Sequence, residues 1–328
     1  MSVAPHVQLL DGVARSLRRR PVPPSAVGAS LALAGHIAAR AWTRRSSEPV
    51  LRRAILQAGF AEAALRTLGR AGMFRRGDAF YPLFLLPDFH GPHFDEALRR
   101  LLLPGRGPFV AHLAVTGACP CRCTYCYADA GGRDAPDLGD ERVLDVARAI
   151  AREWVPLISL GGGEPLARFT RLVALVEILA PRSEVRLATS GVGMSSERAA
   201  HLRRAGLSVV AVSLDSDDAA RVNSSRGYRG AFDAAVTALG ASANAGLITF
   251  VTAVVDRATF DSQREVTRFL RFVRSIHPEI LVNFLPKFAT GRAASYGGFQ
   301  SPDQYAPVAR RIADAIVRGS FRATVFLQ

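Results

Sequence analysis

From residue 109 onward the chain switches between two periodicities. Short apolar runs rich in β-branched residues, at 109–115, 155–160, 184–188, 207–214, 247–255 and 280–285, read as strands. Between them lie longer stretches with apolar positions near helical spacing, at 140–154, 168–179, 195–205, 228–245 and 259–276. A last helix, 302–318, and a short strand, 324–327, complete the series. Strands that alternate with helices in this way predict a parallel α/β sheet. Residues 1–108 lack the alternation. Apolar residues there recur at near-helical spacing (Leu51, Ile55, Ala58, Leu65, Leu68), and 24–42 is alanine-rich. We therefore expect a mainly helical, basic N-terminal subdomain over 1–108 and an α/β core over 109–328.

Composition adds little to that division but removes some functions. At 328 residues, 49% of them hydrophobic, the chain can bury one large core and a smaller one. The net charge is +14, and residues 1–108 hold 16 arginines against 7 acids. Lys287 is the only lysine, so the basicity is largely an arginine bias, and no basic–aromatic stripe accompanies it. No nucleic-acid partner is expected. The apolar stretch 24–42 is long enough for a membrane span, but His36 and Arg40 interrupt it and most of its side chains are small. Its arginine flanks, Arg18 to Arg20 and Arg44–Arg45, leave a second reading, in which residues 1–50 contact an anionic membrane surface.

All four cysteines fall within eight residues, Cys119-Pro-Cys121-Arg-Cys123-Thr-Tyr-Cys126. A disulfide framework would tie distant segments together, so these thiols read as metal ligands on one loop. A zinc knuckle draws on two separated pairs, and no second Cys or His pair follows. A thioredoxin-type pair would lack the cysteine four residues upstream. Cys119, Cys123 and Cys126 form C-x3-C-x2-C directly after a predicted strand. Three thiolates can hold three irons of a [4Fe–4S] cube and leave the fourth open. Cys121 is surplus and reads as a small loop residue. An oxygen-sensitive cluster, with no cysteine elsewhere, points to a reducing, cytoplasmic setting.

A second motif, Gly161-Gly162-Gly163-Glu164-Pro165, follows the second predicted strand of the core. With the cysteine loop it makes the chain resemble the radical SAM superfamily. The resemblance covers about residues 108–328 and implies a partial (β/α)6 barrel, a [4Fe–4S] cluster ligated by Cys119, Cys123 and Cys126, and S-adenosylmethionine bound at the open iron. It implies that Gly162, Gly163, Glu164 and Pro165 grip the cofactor's amino group. Ser190 and Ser213, at the ends of the third and fourth strands, suit its ribose or carboxylate. Arg226 resembles an arginine that pairs with the cofactor carboxylate in peptide-modifying and cofactor-maturing members, although a solvated surface arginine fits as well. Phe284, in Asn283-Phe-Leu-Pro286, is expected against the adenine, and Gly291-Arg292-Ala293 resembles a turn common there. Asp215 is a candidate proton acceptor. Tyr127, with Tyr81 and His112, is a candidate substrate-facing residue.

The implied chemistry is reductive cleavage of S-adenosylmethionine to a 5′-deoxyadenosyl radical, which takes hydrogen from a substrate C–H bond. It calls for an external one-electron donor of flavodoxin or ferredoxin type. No cysteine follows Cys126 in these 328 residues, unlike relatives that carry auxiliary clusters. Redox-neutral outcomes are therefore favoured, on a small or medium-sized metabolite in natural-product, peptide or lipid tailoring. A membrane-surface enzyme acting on a lipid and a non-catalytic iron–sulfur regulator are the alternatives. Asp88-Phe-His90-Gly-Pro-His93 could ligate a second metal but reads better as a proline-framed loop.

Overall fold

The structure is a computed structural model. It describes residues 107–131, 137–255, 259–287, 292, 301–319 and 323–325, with shorter stretches at 74–76, 79–81, 87–88 and within 93–100. The chain divides into two compact units, Met1–His90 and Gly91–Gln328. Of the first, the described part is a hairpin of β1 (Phe74–Arg76) and β2 (Ala79–Tyr81), antiparallel with Phe74 opposite Tyr81. The helical character expected before it lies outside the described residues, as does 24–42. No helix among the described residues is long and apolar enough to cross a membrane. The units part ahead of the 108/109 boundary expected from sequence. Phe94 and Ala97 are buried in the second unit, and Arg100 donates to the Glu153 carbonyl at 2.6 Å.

The second unit is a seven-stranded, wholly parallel sheet whose strands lie side by side in chain order. They are β3 (Val110–Thr116), β4 (Leu157–Gly162), β5 (Glu184–Thr189), β6 (Val209–Ser213), β7 (Ile248–Val255), β8 (Leu281–Pro286) and β9 (Ala323–Val325). Between them run α1 (Asp140–Arg152), α2 (Phe169–Leu179), α3 (Ser196–Ala205), α4 (Ala219–Arg226), α5 (Ala231–Asn244), α6 (Gln263–Ile276) and, before β9, α7 (Pro302–Gly319). The six expected strands, their helices and the terminal strand are all present. Sequential β/α order without reversal is the topology of a partial (β/α) barrel.

Strand parity decides which side chains meet the helices. Val115, Ile158, Leu187, Val212, Val251 and Phe284 lie on the helix-packed face, and each is essentially inaccessible. On the other face His112, Ala114 and Ala188 are exposed, whereas Leu157, Val209 and Phe250 are buried. Helix starts are fixed by side-chain caps. Ser195, Asp218 and Ser262 accept backbone N–H groups of the first turns of α3, α4 and α6. Helix α4 was not expected. Its sequence, AARVNSSR, buries only Val222 and Arg226, too little to mark an apolar stripe.

Candidate active site

The cysteine loop leaves the C-terminal end of β3, where a parallel barrel collects its chemistry. Two neighbours hold its first half. From β4, Gly163 N–H donates to Thr116 O at 2.7 Å and Glu164 N–H to Ala118 O at 2.8 Å. From the end of α4, the carbonyls of Arg226 and Ser225 accept the N–H groups of Arg122 (2.8 Å) and Thr124 (2.9 Å). Thr116 Oγ1 accepts Ala118 N–H and donates to Asp137 at 2.8 Å. Asp137 is held in turn by buried Arg171, which also donates to Val115 O and Leu138 O. The loop is thus tied into the sheet edge by the protein's own hydrogen bonds.

Cys119, Cys123 and Cys126 are half-buried, and Cys121 is buried. Cys121 lies within hydrogen-bonding reach of Cys119 and Cys123. That contact pushes its own thiol up. It also draws Cys119 down and, with the Arg226 charge beside it, lowers Cys123 to about 7. Cys126 Sγ accepts Ala130 N–H at 3.3 Å, a contact of the kind that tunes cluster thiolates. Among the described residues, no three His, Cys, Asp or Glu side chains converge on a single-ion position. The donor set, three half-buried thiols on one braced loop, fits a [4Fe–4S] cluster with one open iron.

The glycines of β4 are dictated by the same loop. Gly162 has φ +118°, and a Cβ there would stand 2.5 Å from Thr116 O. A Cβ at Gly163 would overlap the Ala118 carbonyl. Both positions need glycine so that β4 and the cysteine loop can touch. Glu164 is 1% exposed and its carboxylate ties β4 to the end of β5. It accepts Leu166 N–H (3.0 Å), Thr189 Oγ1–H (2.6 Å), Ser190 N–H (2.7 Å) and Ser190 Oγ–H (2.5 Å). Burial pushes its carboxyl above the usual range, while those four donors oppose the rise. Buried Pro165 opens the short 3₁₀ turn that follows, Pro165–Arg168.

At the ends of β6 and β7 the residues join differently from expectation. Asp215 is buried, and its carboxylate accepts the Tyr125 hydroxyl, Arg226 Nη2 (2.7 Å) and Val254 N–H (2.9 Å). It is a bracket between the cysteine loop, α4 and β7, which redirects the proton-acceptor reading. Arg226 is 3% exposed, so the solvated alternative falls. It pairs with Asp215 and lies 5.7 Å from the Tyr125 ring centroid, and the neighbouring negative charge raises it against the opposing effect of burial. Lys287 Nζ stands 4.7 Å from the same ring, and the residue is 4% exposed. Ser190 and Ser213 are half-buried at the strand ends.

One expectation is displaced. Phe284 meets Phe260 edge-on at 5.1 Å and Phe269 of α6 at 6.1 Å, on the helix-packed face. Parity puts Asn283 and Leu285 on the opposite face instead. Tyr127 is 79% exposed. His112 is exposed on the open face of the sheet. The side chains of Tyr81 and His90 lie outside the described residues, so the Asp88–His93 reading does too. Three residues that brace the cysteine loop had weak or no sequence signal. Arg171 and Asp137 carried none, and Arg292 was marked only by its Gly-Arg-Ala turn.

A parallel β/α sheet with a three-cysteine loop braced on a Gly-Gly-Glu-Pro turn defines a class of iron–sulfur protein. Residues 113–270 match the sequence model of the Radical SAM superfamily, and this part of the chain belongs to it. Enzymes of that superfamily take a [4Fe–4S] cluster and S-adenosylmethionine as cofactors. The chain is 32% identical over 152 residues to the mycofactocin maturase of Mycolicibacterium smegmatis, covering 46% of this chain and 38% of that one. It is 30% identical over 170 residues to a probable GTP 3′,8-cyclase of Methanocella arvoryzae, covering 52% and 54%. It therefore spans about half, or less, of these curated relatives. The fold also resembles Streptococcus suis SuiB bound to S-adenosylmethionine, with TM-score 0.56 at 12% identity over 88% of this chain and 58% of that one.

Proposed function

We propose that this protein is a radical SAM enzyme that removes hydrogen from a C–H bond of a small or medium-sized substrate. The observation that carries this reading is the docking of the cysteine loop on Gly162–Glu164, which sets three thiolates beside the strand ends where a nucleotide cofactor can lie. When bound, the cluster and S-adenosylmethionine supply an electron and a primary carbon radical at C5′. The chain's own residues position and exclude. Cys119, Cys123 and Cys126 would ligate three irons. The Gly162–Gly163 backbone and Glu164 would receive the cofactor's ammonium, whose charge offsets the cost of burying that carboxylate. Ser190 and Ser213 offer hydroxyls at neighbouring strand ends. Arg226, held by Asp215, keeps a cation where a carboxylate could meet it.

The test is anaerobic reconstitution followed by S-adenosylmethionine and dithionite. 5′-Deoxyadenosine should form in step with cluster content, and Cys123→Ala should abolish it. Protein that holds about four irons yet forms none supports the regulatory alternative. The curated relatives are a mycofactocin maturase and a probable GTP 3′,8-cyclase, so nucleotides join peptides and small metabolites among the first substrate classes to assay. A flavodoxin or ferredoxin is the natural electron donor to offer. The lipid alternative rests on residues 1–50. It predicts liposome co-sedimentation that deletion of those residues removes.

A further inference from the structure

The backbone anchors from β4 and α4 grip residues 116–124, and beyond them Asp215 takes the Tyr125 hydroxyl, but neither reaches the backbone of the later part of the cysteine loop. That part, from Cys123 to Ala130, carries two of the three ligand thiols and the N–H···S bond to Cys126. One residue spans it. Arg292 Nη1 donates to Cys123 O at 2.9 Å and Nη2 to Ala130 O at 3.1 Å. Its Nε donates to Asp129 Oδ1 at 2.7 Å, and its own backbone N–H donates to Cys126 O at 3.1 Å. These partners are 162 to 169 positions away in sequence. Asp129 has φ +46°, a left-handed conformation that favours glycine, and the arginine holds the carboxylate of that same residue.

We propose that Arg292 is a positioning residue for the cluster: its planar fork sets where Cys123 and Cys126 stand, from the segment that follows β8. The proposal rests on the radical SAM reading above. A guanidinium suits the task because three donors on one rigid plane meet two carbonyls and a carboxylate together, which a single ammonium cannot do. It also places a fixed positive charge beside two ligand residues. Outer partners of this kind govern how tightly a metal group is kept and how its ligands are oriented. Arg292 has no place in the radical chemistry itself.

The experiment uses the full chain, reconstituted without oxygen, as parent, Arg292→Gln, Arg292→Lys and Asp129→Asn. Two readouts are taken: the rate of iron release to a ferrous chelator, and the EPR spectrum of the dithionite-reduced cluster with and without S-adenosylmethionine. We expect the Gln variant to release iron on the order of 10-fold faster, with altered g-values and a weakened response to S-adenosylmethionine. The Lys variant, which keeps charge but not the fork, should resemble Gln more than parent, and Asp129→Asn should fall between. Asp129 is exposed, so that variant keeps the test readable if substitution of Arg292 prevents folding. Parent-like iron release and EPR in the Gln variant, or in Asp129→Asn where the Gln protein does not fold, overturn the proposal. So does a Lys variant that matches parent, because charge alone would then suffice. A parent that binds no cluster overturns the functional reading as well, which keeps the two failures distinct.

Discussion

The two faces of the seven-stranded sheet are built from the same strands by opposite rules. Towards the helices stand Ile158, Leu160, Leu187, Val210 and Val251, all inaccessible to solvent. On the other face, in register across β3 to β6, stand His112 and Ser159, then Ala114, Gly161, Ala188 and Ala211, with Ser213 nearer the strand ends. His112, Ala114 and Ala188 are exposed, and Ser159, Gly161, Ala211 and Ser213 are half-buried. A closed barrel fills its interior with bulky branched side chains. Here the second face is small and accessible on β3 to β5 but carries buried Val209 and Phe250 on β6 and β7, and its charged members, Arg186 and Glu184, pair at 2.7 Å. One face is packed along its length, and the other is packed only in part, with the cysteine loop and Glu164 at its rim.

That division can be broken most sharply at Phe284. As a helix-face residue, Phe284→Ala should cost about 3–5 kcal/mol in urea unfolding, with S-adenosylmethionine affinity of the surviving folded protein nearly unchanged. A mild stability loss with lost cofactor binding would return Phe284 to the adenine. On the rim, Gly163→Ala should lower 5′-deoxyadenosine formation on the order of 10²-fold, because a displaced Ala118 moves the cysteine loop. Its melting temperature should move far less than that of Phe284→Ala. A fully active Gly163→Ala protein would mean that the contact between β4 and the loop is incidental.

A smaller effect separates the faces by pH. Burial raises Glu164 above its ordinary 4.5, so the folded state holds that proton more tightly than the unfolded chain does. Its contribution is then fully present below pH 4.5 and is lost as pH rises through the raised value. The stability difference between parent and Glu164→Gln should therefore shrink in the parent's disfavour as pH increases from 4.5 in denaturant titrations. A difference that grows in the parent's favour contradicts burial as the dominant influence. The least effect is expected at Ala188→Ser on the open face, within about 0.5 kcal/mol of parent. A loss comparable to a core truncation would mean that this face is packed after all.

Much of this was readable in the chain because the signals are local. Strand runs and helical spacing are properties of neighbouring residues, and so are the cysteine triad and the Gly-Gly-Glu-Pro turn. What could not be read depends on parity or on distant partners. Asn283-Phe284-Leu285 marks the end of a strand without saying which of its residues faces the helices. Asp215 looks like an acid at a strand end, and only the fold brings Tyr125 and Arg226 onto it. Arg171 is one arginine of many until α2 sets it under Asp137 and Val115. Helix α4 is short and polar, so its cap at Asp218 outweighs a nearly absent apolar stripe.

The lone lysine has a practical consequence. Among 42 basic side chains just one is an amine, and it is sealed against an aromatic ring of the cysteine loop. A lysine-specific protease therefore has a single internal cleavage point, after residue 287, and can reach it only when the rim of β8 opens. The time course of that one cut would report how often the cofactor end of the molecule breathes, without any label or engineered probe.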